Sequence, residues 1–280
     1  MPDVNGARVY RYSYPLALPI LGLVVDNVNN PVLIGTSISM NISVKLSVSM
    51  SEKKCSCLAG DQFSEERATL WLRNFVSRLE EYLGLSIPFS IRCSIDIPIR
   101  MPSLYIYAVC SNSIIKMLSG ISDVVAEEYQ YLLQSAILVD VSLGFNPSLL
   151  GGYRYAIELG KSLVYHYGEG VYVLNNVTIE LENPKQIVRL GKQASKIPPR
   201  IMSLIVKLIG YSVLELVQYL EEGEIDHAQF YYRLENSILH VLYGIKVPEE
   251  GYPWRWVYDN DYAYLYPIKI KVGDRYVAGP

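Results

Sequence analysis

The chain has 280 residues, of which 50% are hydrophobic and 19% charged, so intrinsic disorder is excluded and a substantial core can be buried. Its 25 basic and 28 acidic residues give a net charge of -3 without a basic cluster, which argues against nucleic-acid binding. No apolar run reaches the roughly 18 to 20 residues of a membrane-spanning helix, and no signal peptide is evident, so we expect a soluble, cytoplasmic protein without a membrane partner.

Alternating apolar and polar residues predict strands in the first part of the chain. Residues 8–14 and 16–25 are two predicted strands broken at Pro15 and Pro19, and a turn-rich segment ends at Pro31. A long strand with one wet face follows, and its apolar face consists of Ile38, Met40, Ile42, Val44, Leu46, Val48 and Met50. Residues 55–62 are predicted as a loop and residues 64–82 as an amphipathic helix.

A strand, a tight loop and a buried helix follow one another next. Alternation over residues 87–97 predicts a half-buried strand, and Pro98 to Pro102 form the connection. Ser103 is the expected cap of an apolar helix over residues 104–118. Such a helix start aims free N–H groups and a positive dipole end at one spot, where an anion is favoured. Two interpretations stay open: Arg100 helps to hold a phosphate or carboxylate there, or the prolines shape an ordinary turn and Arg100 faces solvent.

Periodicity and turn signals divide the rest of the chain. The predicted helices cover residues 122–138, 184–194, 200–220 and 226–243. The predicted strands cover residues 153–159 and 162–167, joined by a hairpin turn at Gly160–Lys161, and then residues 171–181 and 262–272. Residues 140–152 are predicted as a loop whose double glycine suits either a ligand or tight packing. This order predicts an α+β fold of two lobes, residues 1–168 and residues 169–280.

Two patterns that resemble reactive sites are rejected. Gly160-Lys161-Ser162 has the end of a phosphate-binding P-loop, but Tyr155 replaces the required glycine and a β-rich segment follows. The four cysteines, Cys55, Cys57, Cys93 and Cys110, lack the spacing of a zinc site. We therefore expect reduced, mostly buried cysteines and no metal-binding residues.

Several segments together resemble the GHMP kinase superfamily, which includes galactokinase and the homoserine, mevalonate and phosphomevalonate kinases. Ile97-Pro98-Ile99 before a buried helix resembles the second motif of that family, and Pro147-Ser148-Leu149-Leu150-Gly151-Gly152 is similar to a segment of homoserine kinases. The helical pattern over residues 200–243 resembles the C-terminal lobe. The resemblance implies a two-lobed α+β fold, with an N-terminal lobe like the second domain of a small-subunit ribosomal protein and a helix-rich α/β C-terminal lobe.

Within this superfamily, the layout of residues 8–48, which includes Gly35-Thr36-Ser37, is most similar to the archaeal pantoate kinase branch. That branch implies ATP and Mg²⁺ as cofactors and phosphorylation of an alcohol group of pantoate on the route to coenzyme A. If the chain is such a kinase, we expect Pro98, Arg100, Ser103 and Ser111 to bind the nucleotide and Asp140, the only acidic substitute nearby, to act as a base or metal ligand. Ser148, Gly151 and Gly152 are the expected residues for a small-molecule substrate.

This sequence departs from the family pattern at three places. Residues 100–107 contain no glycine, the usual acidic residue is missing near Leu143–Gly144, and residues 251–256 are aromatic and bulky where a glycine-rich motif is expected. Bulky residues obstruct the close backbone approach that phosphates need. Two hypotheses follow: an ATP-dependent small-molecule kinase, or a non-catalytic relative that binds a metabolite or pairs with a second subunit, as a homodimer or with a paralogue.

Overall fold

A computed structural model gives the fold, and it describes residues 8–22, 30–49, 54–60, 62–84, 86–87, 90–121, 126–190, 197–224, 227–244, 254–259 and 262–276. Within these residues the chain forms two sheets together with helices, which confirms the α+β prediction. The predicted lobe boundary at residue 168 stays a prediction. The chain passes from the first sheet to the second a few residues after this boundary, at the turn of residues 175 and 176.

The first sheet has six strands and carries most of the core. Its strands are β1 (Arg8–Leu21), β2 (Val32–Ser49), β3 (Cys55–Leu58), β4 (Ser90–Asp96), β5 (Ser162–His166) and β6 (Gly170–Leu174). The order is β3-β4-β2-β5-β6, with β1 also paired to β2, and β3–β4 is the parallel pair in this sheet. The alternation predicted for β2 is confirmed from Ile42 to Val48, whereas Ile38 is 72% exposed and lies where the pairing of β2 with β1 is interrupted, between Thr36 and Asn41.

Three helices pack on the first sheet, and a fourth packs on these helices. The three are α1 (Gln62–Leu83), α2 (Ser103–Ile121) and α4 (Pro147–Leu159), and the fourth is α3 (Ala126–Ser142). Every residue of α2 from Ser103 to Ile115 is buried, as expected for a helix that is apolar on all sides. The predicted start of α3 at Ser122 and Asp123 lies outside the described residues.

The second sheet is built around one long strand. Its members are β7 (Val177–Leu181), β8 (Gln186–Arg189), β9 (Trp254–Asp259), β10 (Tyr262–Val272) and β11 (Arg275–Tyr276), and β10 pairs with all four others. Helices α5 (Pro199–Glu222) and α6 (Ala228–Tyr243) confirm two of the predicted helices. α6 packs with β9 over a smaller core that contains Leu239, Leu242 and Trp256.

The expectation that no segment is long and apolar enough to cross a membrane is not met by α5. By length and composition this helix qualifies, although 39% of its most apolar stretch is buried inside the protein. Its buried stripe includes Val206, Ile209, Val213, Leu216 and Leu220, so one face of α5 belongs to the protein core.

The strand predicted over residues 153–159 is wrong, because this segment belongs to α4. The Asn146 side chain accepts a hydrogen bond from the Leu149 N–H at 3.0 Å, Pro147 occupies the first turn, and Gly160 ends the helix with φ 66°. Residues 147–152, predicted as the end of a loop, are therefore helical. Gly160–Lys161 is a helix end and not a hairpin turn. Gly160-Lys161-Ser162 is not a P-loop, because a P-loop is followed by a helix and here strand β5 begins at Ser162.

Other boundaries are corrected by pairing partners that lie far away in sequence. The predicted loop of residues 55–62 contains β3, which pairs with β4, and the predicted helix of residues 184–194 contains β8, which pairs with β10. The single strand predicted over residues 171–181 is two strands, β6 and β7, which belong to different sheets: β6 pairs with β5 and β7 pairs with β10. The two predicted N-terminal strands form one strand, β1, with irregular pairing at both prolines.

Candidate functional site

The loop before α2 is held by distant parts of the chain. The Arg100 N–H donates to Asn183 Oδ1 at 2.9 Å, and the Arg100 carbonyl accepts from the Tyr266 hydroxyl at 2.7 Å. Pro98 and Arg100 are exposed, while Met101 between this loop and the helix is 1% exposed. The loop is thereby fastened to the second sheet.

The first turn of α2 is closed to solvent. The Ile106 N–H donates to the Pro102 carbonyl at 3.2 Å, so Pro102 occupies the cap position predicted for Ser103, and Ser103 is the first helical residue. Ser103 and Tyr105 are 0% exposed and Leu104 is 3% exposed. The Tyr105 hydroxyl donates to the Pro15 carbonyl at 2.7 Å, which fixes its ring against β1. A triphosphate must touch the N–H groups of such a turn, and these buried residues do not fit one.

Ser111 lies two turns further along the same helix. Its hydroxyl is buried and donates to the carbonyls of Tyr107 at 2.7 Å and Ala108 at 3.1 Å. Eight residues of helix separate it from Ser103, a rise of about 12 Å. The two serines therefore do not meet at one phosphate in this structure.

Asp140 stands at the end of α3 in a fully buried ion pair with Arg154 of α4. Arg154 Nε donates to Asp140 Oδ2 at 2.6 Å and Arg154 Nη2 donates to Asp140 Oδ1 at 3.0 Å, a two-pronged geometry. The Tyr107 hydroxyl also donates to Asp140 Oδ1 at 2.5 Å, and Arg154 Nη1 donates to Asn112 Oδ1 at 2.6 Å. The role of Asp140 as a base stays a prediction, but its carboxylate joins α2, α3 and α4 here.

Burial and charge pairing act in opposite directions on this pair. Burial raises the pKa of Asp140, and the charge and hydrogen bonds of Arg154 reduce this rise without cancelling it. Burial lowers the pKa of Arg154, but the Asp140 charge and hydrogen bonds outweigh this effect, so the pKa of Arg154 is raised. We call Asp140, Arg154, Tyr107 and Asn112 the first charged cluster. Sequence reasoning missed Arg154, although a lone arginine in an apolar helix pattern is a usable signal.

The predicted substrate residues lie inside α4 and serve packing. Ser148 is buried, and its hydroxyl accepts from the Tyr167 N–H at 3.3 Å. A side chain at Gly151 would meet the Tyr165 ring at 2.3 Å, and one at Gly152 would meet Ile34 at 3.0 Å. Of the two open interpretations of the double glycine, tight packing of α4 on the sheet is the one with observed contacts. Their substrate role stays a prediction.

A second charged cluster, which the sequence did not predict, joins β1, α6 and β9. Glu235 is 5% exposed and its Oε1 accepts from the Gly22 N–H at 3.0 Å; Arg255 is 1% exposed and its Cζ lies 3.1 Å from the centre of the Tyr232 ring. Arg255 Nη1 donates to the Trp254 carbonyl at 3.3 Å, but within the described ranges Nε and Nη2 have no hydrogen-bond partner. A small cavity of about 10 Å³, room for one water, is lined by Glu235 and Tyr258.

Burial dominates the titration of this second charged cluster. It raises the pKa of Glu235 to about 7, although the Arg255 charge and the Gly22 N–H pull that pKa down. Burial also lowers the pKa of Arg255. An acid within the apolar stripe of α6, between Tyr232 and Leu239, is the signal that could have revealed this cluster.

An open groove lies between the β5–β6 hairpin and α5. Its volume is about 570 Å³, within the range of small-molecule sites. Its walls consist of Asn30, Pro31, Val164, His166, Glu169, Gly170, Val171, Tyr172, Lys207, Gly210, Tyr211 and Leu214. None of these described wall residues belongs to the predicted nucleotide or substrate set, so the groove and the start of α2 are separate features.

Comparison with known proteins identifies the fold. No protein-family model matches the chain, and no curated protein sequence matches it. Among solved structures, Lactococcus lactis galactokinase complexed with galactose has a TM-score of 0.61 at 10% identity, covering 96% of this chain and 94% of that chain. Streptococcus pneumoniae phosphomevalonate kinase in complex with phosphomevalonate and AMPPNP has a TM-score of 0.57 at 12% identity, covering 84% and 81%.

Mevalonate kinase from methicillin-resistant Staphylococcus aureus has a TM-score of 0.53 at 16% identity, covering 96% of this chain and 91% of that chain. These neighbours are ATP-dependent kinases of the GHMP superfamily, and the similarity extends over nearly the whole chain. At such low identity the similarity establishes architecture and leaves activity to the site. This chain therefore has the two-lobed α+β fold of the GHMP kinases.

Proposed function

We propose that this protein is a non-catalytic relative with the GHMP kinase fold, and that it acts as a subunit that pairs with a second copy of itself. The observation that carries the first half of the proposal is the closed first turn of α2. Fold similarity alone does not transmit an activity, because activity depends on the groups at the site.

Opening the start of α2 requires several contacts to break together. The Tyr105 hydroxyl must leave the Pro15 carbonyl, and the Tyr105 ring must leave the Tyr153 ring, which it contacts edge to face at 5.5 Å. The Arg100 loop must also leave Asn183 and Tyr266. Each lost hydrogen bond costs about 1 kcal/mol, and an exposed aromatic ring adds a hydrophobic cost of about 2 kcal/mol. These costs would be subtracted from the affinity for any nucleotide.

The competing hypothesis is an active kinase of the pantoate kinase type, which uses ATP and Mg²⁺. Its support is the near-complete overlap with kinases, one of them solved with AMPPNP. It requires Arg100 and Ser103 to meet phosphates and Asp140 to leave Arg154 and act on an alcohol group of the substrate. This hypothesis is the outcome that would overturn the non-catalytic proposal.

Calorimetry on the full chain with ATP–Mg²⁺ separates the two hypotheses. We expect no saturable heat up to millimolar nucleotide, while a purified galactokinase gives a binding curve under the same conditions. Saturable binding that Arg100→Ala weakens by about 1 to 3 kcal/mol, and that Arg92→Ala on the exposed side of β4 leaves unchanged, would refute the proposal. Release of ADP on addition of pantoate would refute it independently.

The exposed face of α5 supports the second half of the proposal. Five large apolar side chains on this face are 46% to 69% exposed: Ile201, Leu204, Leu208, Tyr211 and Leu214. They recur at helical spacing along one side of the helix. An apolar stripe of this kind is typical of a protein-protein contact.

The charges of α5 indicate a second, antiparallel copy as the occupant. Arg200 and Lys207 lie in the N-terminal half, and Glu215 and Glu222 lie in the C-terminal half, with no acidic residue in the first turn and no basic residue in the last. This order opposes the dipole of the helix itself. In an antiparallel pair centred on Tyr211, however, the basic half of each helix faces the acidic half of its partner, and Arg200 and Glu222 are equally far from the centre.

Charge exchange on α5 tests this pairing. We expect a concentration-dependent dimer in analytical ultracentrifugation, weakened roughly 3- to 30-fold by Arg200→Glu or by Glu222→Arg alone and restored when both changes are combined. Each single change improves the fit to the helix dipole, so a weaker dimer cannot be attributed to unfolding of α5.

A monomer at all concentrations, or single variants that dimerise as well as the parent, would contradict the pairing. Binding of the parent to phospholipid vesicles in place of self-association would identify the apolar face as a membrane contact and refute the assigned partner.

A further inference from the structure

Three buried cysteines meet between the first sheet and α2. Cys57 on β3 and Cys93 on β4 are paired residues of the parallel strands, and Cys110 of α2 lies above them. Cys110 Sγ is 2.6 Å from Cys93 Sγ and 2.8 Å from Cys57 Sγ, and each of the three residues is at most 1% exposed. Cys55, the fourth cysteine, is two residues earlier on β3 and is not part of this cluster.

Charge decides between a bound metal ion and a covalent bond at this cluster. Three thiolates around a monovalent or divalent soft ion leave a net negative charge, and burying a charge without a partner is costly. The charged residue that acts on the Cys57 thiol is the acid Glu65, which would add to that cost. A disulfide is uncharged and needs no polar neighbour.

The separations between the sulfur atoms point the same way. Two thiolates on one tetrahedral zinc ion lie about 3.8 Å apart, given Zn–S bonds of about 2.3 Å, whereas a disulfide bond is about 2.05 Å long. Cys110 is closer to both neighbours than a shared ion allows. The two strands and the helix therefore already hold the sulfur atoms near bonding range.

We propose that Cys93 and Cys110 form a disulfide that ties β4 to α2, and that Cys57 is a third thiol able to exchange with it. The oxidant is a small-molecule disulfide: its S–S bond accepts two electrons from the two thiols, the Cys93–Cys110 bond forms, and two small thiols carry away the two protons. Because the cluster is buried, this oxidation precedes closure of the core during folding.

Exchange needs no further oxidant. The Cys57 thiolate attacks Cys110 Sγ, the Cys93–Cys110 bond breaks, and Cys93 leaves with the proton that Cys57 has given up. Cys110 Sγ lies 2.6 Å from Cys93 Sγ and 2.8 Å from Cys57 Sγ, so both partners are within its reach. The shorter separation favours the Cys93–Cys110 bond, with Cys57 as the released thiol.

Thiol mapping tests the assignment. The chain is refolded with oxidised glutathione, denatured, alkylated with or without a reductant, and digested for mass spectrometry. We expect two alkylated cysteines of the four without reductant, four with it, and a cross-linked peptide pair containing Cys93 and Cys110. Four free thiols, a bond to Cys55, or Cys57–Cys110 as the main product would overturn the proposal, as would a stoichiometric metal in the purified protein.

Several cysteine variants keep the test valid even if one of them fails to fold. Cys57→Ser should keep the Cys93–Cys110 bond, Cys93→Ser should shift it to Cys57–Cys110, and Cys55→Ala is the matched control that should change nothing. Reduction should lower the urea midpoint of the parent and of Cys57→Ser but not that of Cys110→Ser. If Cys110→Ser does not fold, the mapped bonds of the other variants decide, and the absence of a Cys57–Cys110 bond in Cys93→Ser would refute the proposal.

Discussion

The two buried charged clusters use the same kinds of side chain but satisfy them differently. In the first charged cluster, Arg154 and Asp140 share two hydrogen bonds of 2.6 and 3.0 Å, and Tyr107 and Asn112 occupy further positions. In the second charged cluster, Arg255 stacks on a tyrosine ring, and Glu235 accepts a backbone N–H. Burial is nearly complete in both and raises the pKa of Asp140 as well as that of Glu235, so the clusters differ in how completely the nitrogens of the arginine are hydrogen-bonded.

Breaking the first charged cluster should have the largest effect. Arg154→Met leaves Asp140 buried without its counter-charge, and we expect a loss of about 3 to 5 kcal/mol in the free energy of unfolding at pH 7, measured with urea. The matched control, Arg78→Met, breaks the exposed pair with Glu81 and should cost at most about 1 kcal/mol. A loss as small as that of the control would remove the distinction between the clusters.

Glu235→Gln should change the pH dependence of stability. The pKa of Glu235 is raised to about 7 in the fold from 4.5, so between these values the folded state holds a proton that the unfolded state has lost. Stability therefore falls as pH rises through this window, by up to about 3 kcal/mol, and levels off above it. We expect the variant to lack this fall when urea unfolding at pH 5 and pH 8 is compared. Parallel pH profiles for the two proteins would contradict the raised pKa.

Tyr107→Phe sharpens the description of the first charged cluster. It removes one hydrogen bond to Asp140 Oδ1 and leaves both bonds from Arg154 in place. We expect a loss of about 1.5 kcal/mol in the free energy of unfolding, well below that of Arg154→Met. The control is Tyr82→Phe on the exposed face of α1, which should change little, and equal losses in both variants would argue against a hydrogen bond to a charged group.

Arg255→Met should have the smallest effect on the free energy of unfolding. This differs from the large loss that is usual when a buried arginine is replaced. Since its guanidinium is incompletely hydrogen-bonded, an apolar side chain of similar length should alter the free energy of unfolding by less than about 1 kcal/mol. Loss of the Arg255 charge should raise the pKa of Glu235 further, which extends the pH-dependent fall in stability to higher pH. A loss comparable with that of Arg154→Met would show that both arginines are equally paired.

Sequence reasoning succeeded where an element is specified by its own residues. β4, α1, α5 and α6 were predicted close to their observed bounds, because alternation or helical spacing records which face is buried. It failed where distant strands decide: β3 and β8 exist because β4 and β10 pair with them. In the candidate site, the nucleotide role of Arg100 stays a prediction, and the partners that fasten its loop, Asn183 and Tyr266, are 83 and 166 residues away.

By itself the sequence determined the α+β class, the resemblance to GHMP kinases, the apolar character of α2 and the loss of glycine before it. Only the tertiary structure decided that the first turn of α2 is closed, that Asp140 is bound to Arg154, that the double glycine lies in a helix, and that three cysteines meet. The physical reason is that the hydrophobic periodicity of a helix or strand depends on a few neighbouring residues. Closure of a site and pairing of charges depend instead on side chains that folding brings from far along the chain.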